Sequence, residues 1–266
     1  FIGGGNMAQA LIGGLAGKLT AASNIHVVDV VQDTLATLTQ RFGVTTAAVP
    51  SEVLASADVI VLAVKPQQMR DVVANLKPYV KSQLLLSIAA GIRAADLSRW
   101  LGGHQAIVRT MPNTPALVGK GITGAVAMAG VSEAQKQTAD AILRAVGDTV
   151  WIDDEAQIDA VTAISGSGPA YVFYFIEAMQ QAAVELGLSA EQGRELAQAT
   201  FAGAAELAIR SDEPVSLLRE RVTSKGGTTY AALTSMEGSG VKAALVKALH
   251  AAADRGRQLG EEFGKD

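Results

Sequence analysis

One stretch limits what this chain can fold into more than any other: Ile164 to Leu186, ISGSGPAYVFYFIEAMQQAAVEL. It opens on Ser165-Gly166-Ser167-Gly168, and Pro169 follows where a helix would begin, a position at which its missing N–H costs nothing. From Ala170 to Ile176 the helical wheel is apolar on every side, and polar residues return only at Glu177, Gln180, Gln181 and Glu185. A helix apolar nearly all round has to be buried on more than one face. In a chain of 266 residues, the candidate for the second burying surface is another copy of the same helix. Strand and helix patterns alternate before this stretch, and no strand pattern follows it. The chain therefore divides into an α/β domain over 1-153 and an all-helical domain over 154-266.

Composition removes several function classes. The net charge is −4, so the basic footprint of a nucleic-acid or anionic-lipid binder is missing. There is no cysteine, which excludes disulfides, thiolate metal sites and cysteine nucleophiles. The histidines His26, His104 and His250 are scattered, and no metal site is expected. The charge-free run Ala160 to Ile176, of the same length as the charge-free Phe1 to Gly17, contains serines, glycines and a proline, so no membrane span is read. Phe1 already sits inside a strand pattern. A few preceding residues are expected to be missing, and nothing visible resembles a signal peptide, so the expected location is cytoplasmic.

The N-terminus carries the first chemical motif. Phe1-Ile2-Gly3-Gly4-Gly5-Asn6-Met7-Ala8 reads as a strand end, a tight turn and a helix start, with Gly3, Gly5 and Ala8 fitting G-x-G-x-x-[GA]. The first glycine permits the turn, the second lets backbone approach a pyrophosphate, and the small third residue lets helix and strand pack closely. Free N–H groups at such a helix start attract phosphate. The plainer reading is a glycine-rich turn without a ligand. The next strand, Ile25 to Val28, ends at Asp29, near the spacing for an acid that binds the ribose hydroxyls of NAD. No Lys or Arg follows until Arg41, so a 2′-phosphate lacks an obvious partner. An ordinary turn-forming Asp is the competing reading.

Three further apolar runs mark strands buried on both faces of a parallel sheet: Asp58 to Val64, Leu84 to Ile88, and Ala106 to Arg109. Ligands of such sheets bind at the carboxyl ends of the strands. The runs stop at Lys65-Pro66, at Ala89-Ala90-Gly91, and at Thr110-Met111-Pro112-Asn113-Thr114-Pro115. Those endings are the expected cofactor walls, with Lys65 a cofactor contact rather than a catalytic group. Gly121 to Met128 and Asp148 to Ile152 read as the last strands, separated by a helix with capping-box spacing at Ser132 and Gln135. Asp153-Asp154-Glu155 reads as a capping cluster.

Ser189 and Gln192 cap a second alanine-rich helix. Beyond it, Val222-Thr223-Ser224-Lys225-Gly226-Gly227-Thr228-Thr229 is a glycine turn with hydroxyl residues that opens a helix. Such a turn suits an anion and is free to hold a substrate carboxylate, or is simply a permissive cap. A final amphipathic helix runs from Val241 to about Phe263.

Taken in order, F-I-G-G-G-N-M-A, A-V-K-P, S-I-A-A-G-I, V-R-T-M-P-N-T-P, S-G-S-G-P-A-Y and T-S-K-G-G-T-T make the chain resemble the pyrroline-5-carboxylate reductases over essentially its whole length. The resemblance implies a Rossmann-type N-terminal domain and an all-α C-terminal domain for substrate binding and dimerisation, with dimers assembling into larger rings, commonly decamers. It implies reduction of the imine of L-1-pyrroline-5-carboxylate to L-proline by NADPH or NADH, with Asp29 favouring NADH. Gly3 to Ala8, Ala63, Val64, Lys65 and Pro66, Ile88, Ala89 and Ala90, and Asn113 become the cofactor-binding set. Thr162, Ser224, Gly226, Gly227, Thr228 and Thr229 become the substrate-binding set, with the turn completing a partner subunit's site and the Thr229 hydroxyl near the imine nitrogen as the catalytic group. Many members carry Pro where this chain has Lys225. Two alternatives stay open: a β-hydroxyacid dehydrogenase, and an NAD-binding sensor without turnover. The first wants a Lys on the central helix, and none occurs between Lys136 and Lys225.

Overall fold

The computed structural model describes residues 1–265. In chain order its elements are α1 (Asn6–Leu15), β1 (His26–Val28), α2 (Gln32–Phe42), β2 (Thr45–Ala47), β3 (Val59–Leu62), α3 (Met69–Leu76), β4 (Leu84–Ser87), α4 (Ala94–Trp100), β5 (Ile107–Met111), β6 (Gly121–Ala127), α5 (Glu133–Arg144), β7 (Gly147–Trp151) and α6 (Ile158–Val161). After a π-helical turn at Thr162–Gly166 come α7 (Gly168–Glu185), α8 (Ala190–Arg210), α9 (Val215–Arg221), α10 (Thr228–Gly238) and α11 (Val241–Phe263).

Two compact units result: Phe1–Ser167 together with the chain from Ala251 on, and Gly168–His250. The border therefore falls later than 153/154, and the chain returns to the first unit at its end. Both departures have local causes. α6 belongs to the sheet because Gly124 on β6 leaves room for it: a Cβ there would lie 2.5 Å from Val161 Cγ1. The end of α11 and the residue after it carry glycines at four-residue spacing, Gly256, Gly260 and Gly264. Added Cβ atoms would meet Asp159 at 3.1 Å, Arg93 at 3.2 Å and Asp96 at 2.5 Å.

In the first unit, β3, β4 and β5 pair in parallel, and β1 pairs with β2 in parallel. Ile2 bridges both Val28 and Leu62 and so joins the two runs into one sheet. β6 is antiparallel to β5, because the short connection through Thr114–Val118 is too brief for a helical crossover. β7 pairs in parallel with β6 through the α5 crossover, so β6 and β7 both run opposite to β3, β4 and β5. Both faces of the sheet are covered. Leu84 and Leu86 face a core with Leu11, Ile12, Leu38 and Leu143, whereas Leu85, Ile60 and Leu62 face one with Met69, Val73 and Leu97. That alternation is why these strands read as continuous apolar runs.

In the second unit, α8 starts at a capping box in which Gln192 N donates to Ser189 Oγ (3.1 Å) and Ser189 N to Gln192 Oε1 (2.9 Å). Gly193 and Ala183 keep α8 close to α7, since a Cβ on Gly193 would lie 2.8 Å from that of Ala183. No residue of α7, α9 or α10 is buried in the single chain.

Candidate active site

The N-terminal turn is built so that only glycine fits at its start. Gly3 has φ +98°, and a Cβ there would sit 2.6 Å from the Ala63 carbonyl oxygen. Gly4 is closed off by Leu38 and Thr34. Gly5 is different: nothing lies within 4 Å of where its Cβ would be, and it is the N-cap of α1 with no side chain capping the free N–H groups. Asn6 is exposed and Met7 half-buried beside it, while Ala8 is buried against the sheet. The turn thus presents uncapped backbone donors at an exposed helix start, the arrangement an anion needs.

Asp29 ties this turn to the next loop. Gly4 N donates to Asp29 Oδ2 at 2.7 Å, and Val31 N donates to Asp29 Oδ1 at 2.9 Å. Val30 and Val31 beyond it are exposed. The neighbouring strand ends meet along the same sheet edge. Ala63 N donates to Ile2 O, which brings the end of β3 against Gly3 and leaves Val64 half-buried. Lys65 is exposed, and Pro66 opens a short 3-10 turn. Ile88 N donates to Leu62 O, so Ile88, Ala89 and Ala90 continue from β4 beside that loop.

Past β5, which runs to Met111 rather than stopping at Arg109, Asn113 is buried, and both ends of its amide are engaged. Its Nδ2 donates to Ser165 O at 3.1 Å, and its Oδ1 accepts from Ile122 N at 2.9 Å. Ser165 lies in the π-helical turn Thr162–Gly166, where Ser167 N donates to Thr162 O. The Thr162 and Ser165 hydroxyls donate to the carbonyls of Ile158 and Val161. Ser165 and Gly166 are therefore helical, and Ser167 alone forms the bend before α7.

Beneath this turn lies a charged seam that the sequence reading did not find. Arg109, 4% exposed, pairs with Glu155 at 2.9 Å, and the same Glu155 oxygen accepts from Ala94 N at 2.7 Å. Of the three acids read as a capping cluster, Asp154 does cap, accepting from Ala156 N, but Glu155 serves as the counter-ion. Burial raises the pKa of both Asp96 and Asp159 above the usual carboxylate range, against the pull of nearby arginines.

In the second unit, Ser224 to Thr229 form a tight exposed turn. Gly226 has φ +72°, Gly227 N donates to Ser224 O, and a Cβ on Gly227 would strike the Ser224 hydroxyl at 2.7 Å. Gly227 is the N-cap of α10, again with no capping side chain. The hydroxyls of Ser224, Thr228 and Thr229 make no hydrogen bond among the described residues.

The segment 155–259 matches the family model for pyrroline-5-carboxylate reductase dimerisation, and 1–91 matches that for NADP oxidoreductase, coenzyme F420-dependent. Across the whole chain the likeness is closer still. A pyrroline-5-carboxylate reductase of Pseudomonas aeruginosa is 47% identical over 266 residues, covering 100% of this chain and 97% of the relative. The chain belongs to the pyrroline-5-carboxylate reductase family. Its fold agrees: the structure of such a reductase from Coxiella burnetii superposes with a TM-score of 0.91 at 40% identity, covering 97% of each chain. One from Plasmodium falciparum, with NADP bound, superposes at 0.88 and 34% identity, covering 98% of this chain and 97% of that one. Pyrroline-5-carboxylate reductases are oxidoreductases acting on a CH–NH group, and this assignment is favoured over the dehydrogenase and sensor alternatives. Among the described residues no helix is long and apolar enough to cross a membrane, and no cluster of three or more His, Asp or Glu could hold a metal.

Proposed function

We propose that the chain reduces the imine of L-1-pyrroline-5-carboxylate to L-proline, with each unit contributing one anion receptor. The observation that carries this is the pair of uncapped helix starts opened by glycine, Gly5–Asn6 in the first unit and Gly227–Thr228 in the second. The first fits a dinucleotide pyrophosphate, because the open space at Gly5 and the free N–H groups of α1 leave nothing to displace. Gly3 to Ala8, Ala63 to Pro66 and Ile88 to Ala90 would hold the cofactor, which supplies a hydride from its reduced nicotinamide. The second fits the substrate carboxylate: the N–H groups of Gly226, Thr228 and Thr229 would orient it at the turn that the Gly227 N–H closes onto Ser224 O, with the Ser224 and Thr228 hydroxyls as added donors. The unengaged Thr229 hydroxyl would hold or pass a proton at the imine nitrogen, and Thr162 would line the same substrate.

The turn of one subunit serves its partner's site in this reading, which fits helices that bury nothing in a single chain. Dimers, and rings of dimers up to a decamer, are the expected assemblies. A cytoplasmic location goes with a reaction that consumes reduced nicotinamide nucleotide. Asp29, with exposed Val30 and Val31 and no Lys or Arg after it until Arg41, favours NADH, since a carboxylate repels a 2′-phosphate. The test is oxidation of NADH and, separately, NADPH by the purified protein, with and without pyrroline-5-carboxylate. Rapid oxidation only with substrate is expected. A larger kcat/KM with NADPH would overturn the role given to Asp29, and oxidation with neither would overturn the reaction.

A further inference from the structure

We propose that Asn113 is a positioning residue for the substrate-side turn rather than a contact to the cofactor: its amide takes up a carbonyl that the sequence leaves without a donor, and so fixes where Thr162 stands. The inference rests on the reading of Thr162 as part of the substrate site.

The need for such a group is written in the chain. In a continuing α-helix the Ser165 carbonyl would be paired by the N–H of residue 169, but residue 169 is proline. Proline has no N–H to give, and its ring crowds the carbonyl four residues back. The backbone answers with the π-helical turn Thr162–Gly166, a form that often marks functional sites. A half-buried carbonyl in that turn needs a donor from elsewhere. Asn113 Nδ2 provides it at 3.1 Å.

The other half of the amide is anchored just as firmly, to Ile122 N at 2.9 Å. A backbone N–H can only donate and a carbonyl can only accept, so the two partners fix the orientation of the amide. Asp offers the acceptor but not the donor. Asn113 is 8% exposed, and neither of its bonds points to a ligand. A second grip acts at the other end of the same segment, where Arg109 holds Glu155 at 2.9 Å. Between them Gly124 admits Val161, the residue before Thr162. The segment from Glu155 to Ser165 is thus held by β5, the residues following it, and β6.

The test separates binding of cofactor from use of substrate. Asn113→Asp keeps the bond to Ile122 N and sets a carboxylate against the Ser165 carbonyl. The expected result is a fall in kcat/KM for pyrroline-5-carboxylate of about tenfold or more, with the Kd for NADH, read by fluorescence titration, changed by less than about twofold. Gly124→Ala, which pushes on Val161 from the sheet side, should give the same split and stands in if Asn113→Asp does not fold. Weaker NADH binding with an unchanged kcat/KM for the substrate would overturn the inference in favour of a cofactor contact. No change in either would overturn it outright. Thr162→Val, measured alongside, distinguishes the failures. If it lowers kcat/KM for the substrate while Asn113→Asp does not, the positioning role alone falls. If it is silent, the turn is not in the substrate site and the assignment falls with that reading. Wild-type turnover tests the reaction itself.

Discussion

The unit Phe1–Ser167, with the chain from Ala251 on, encloses a core of large apolar side chains by itself, and the unit Gly168–His250 does not. Leu85, Leu86 and Ile107 in the first unit are fully enclosed, each worth about 1.5–3 kcal/mol of burial. In the second, Phe173 and Tyr174 stand 64% and 70% exposed on a helix that is apolar all round. A polar-rimmed sheet with helices on both faces closes on its own. A set of slim, alanine-rich helices with large apolar side chains facing out needs a second surface. Family membership through the dimerisation model, over 155–259, supplies the occupant: another copy of the chain. The sharpest way to break this contrast is Phe173→Asp. It should raise the dimer dissociation constant roughly a hundredfold or more, and abolish turnover with it, if a buried aromatic anchor worth about 3 kcal/mol is replaced by a charge. Analytical ultracentrifugation beside an activity assay checks this. An intact, active dimer would move the interface off this face of α7.

The converse perturbation strikes the first unit and spares association. Gly3→Ala forces a side chain into φ +98° and against the Ala63 carbonyl. A strained backbone position of this kind costs about 1–3 kcal/mol. Thermal melting should shift down by several degrees and binding of NADH and NADPH alike should be lost, while sedimentation still reports a dimer. Loss of the dimer would mean that the two units do not hold their stability separately.

Thr229→Ala perturbs neither packing scheme, because the hydroxyl has no partner to lose among the described residues. It should lower kcat/KM by one to two orders of magnitude, the loss of a charge-assisted hydrogen bond of about 1.5–3 kcal/mol, with melting and sedimentation unchanged. Unchanged kinetics would remove Thr229 from the mechanism.

What could be read ahead of the structure follows from how local each signal is. β4 was legible because Leu84 to Leu86 all face one core or the other. The helices α5 and α8 were legible from Ser-x-x-Gln, and both capping boxes formed. β2 left no trace, since Thr45-Thr46-Ala47 lies at the sheet edge and pairs only with β1. The π-helical turn was hidden because Ser-Gly-Ser-Gly has the composition of a loop, and only the missing proline N–H hints otherwise. The Arg109–Glu155 pair joins residues 46 apart, and nothing near Glu155 sets it off from Asp153 and Asp154. The return of α11 had a readable sign in Gly256, Gly260 and Gly264, whose spacing of four lines one helical face.

The smallest predicted effect concerns that charged seam, where charged side chains are buried inside the self-sufficient unit. Asp159 has its pKa raised above the ordinary 3.8, by burial first, with Glu155 adding to the rise and Arg109, Arg93 and Arg257 opposing it. The folded chain therefore holds this proton more tightly than the unfolded one. Between 3.8 and the higher folded value it binds more protons, so stability falls as pH rises through that window and is greatest below it. Asp159→Asn removes the titration. The variant should be at least as stable as the wild type at pH 7, and the difference should vanish below about pH 4; Asp96, shifted the same way, contributes equally to both proteins and drops out of the difference. Denaturant unfolding across that range gives the comparison. A variant less stable than wild type at pH 7 would mean that the three arginines outweigh burial, and that the seam is held together by the charge rather than in spite of it.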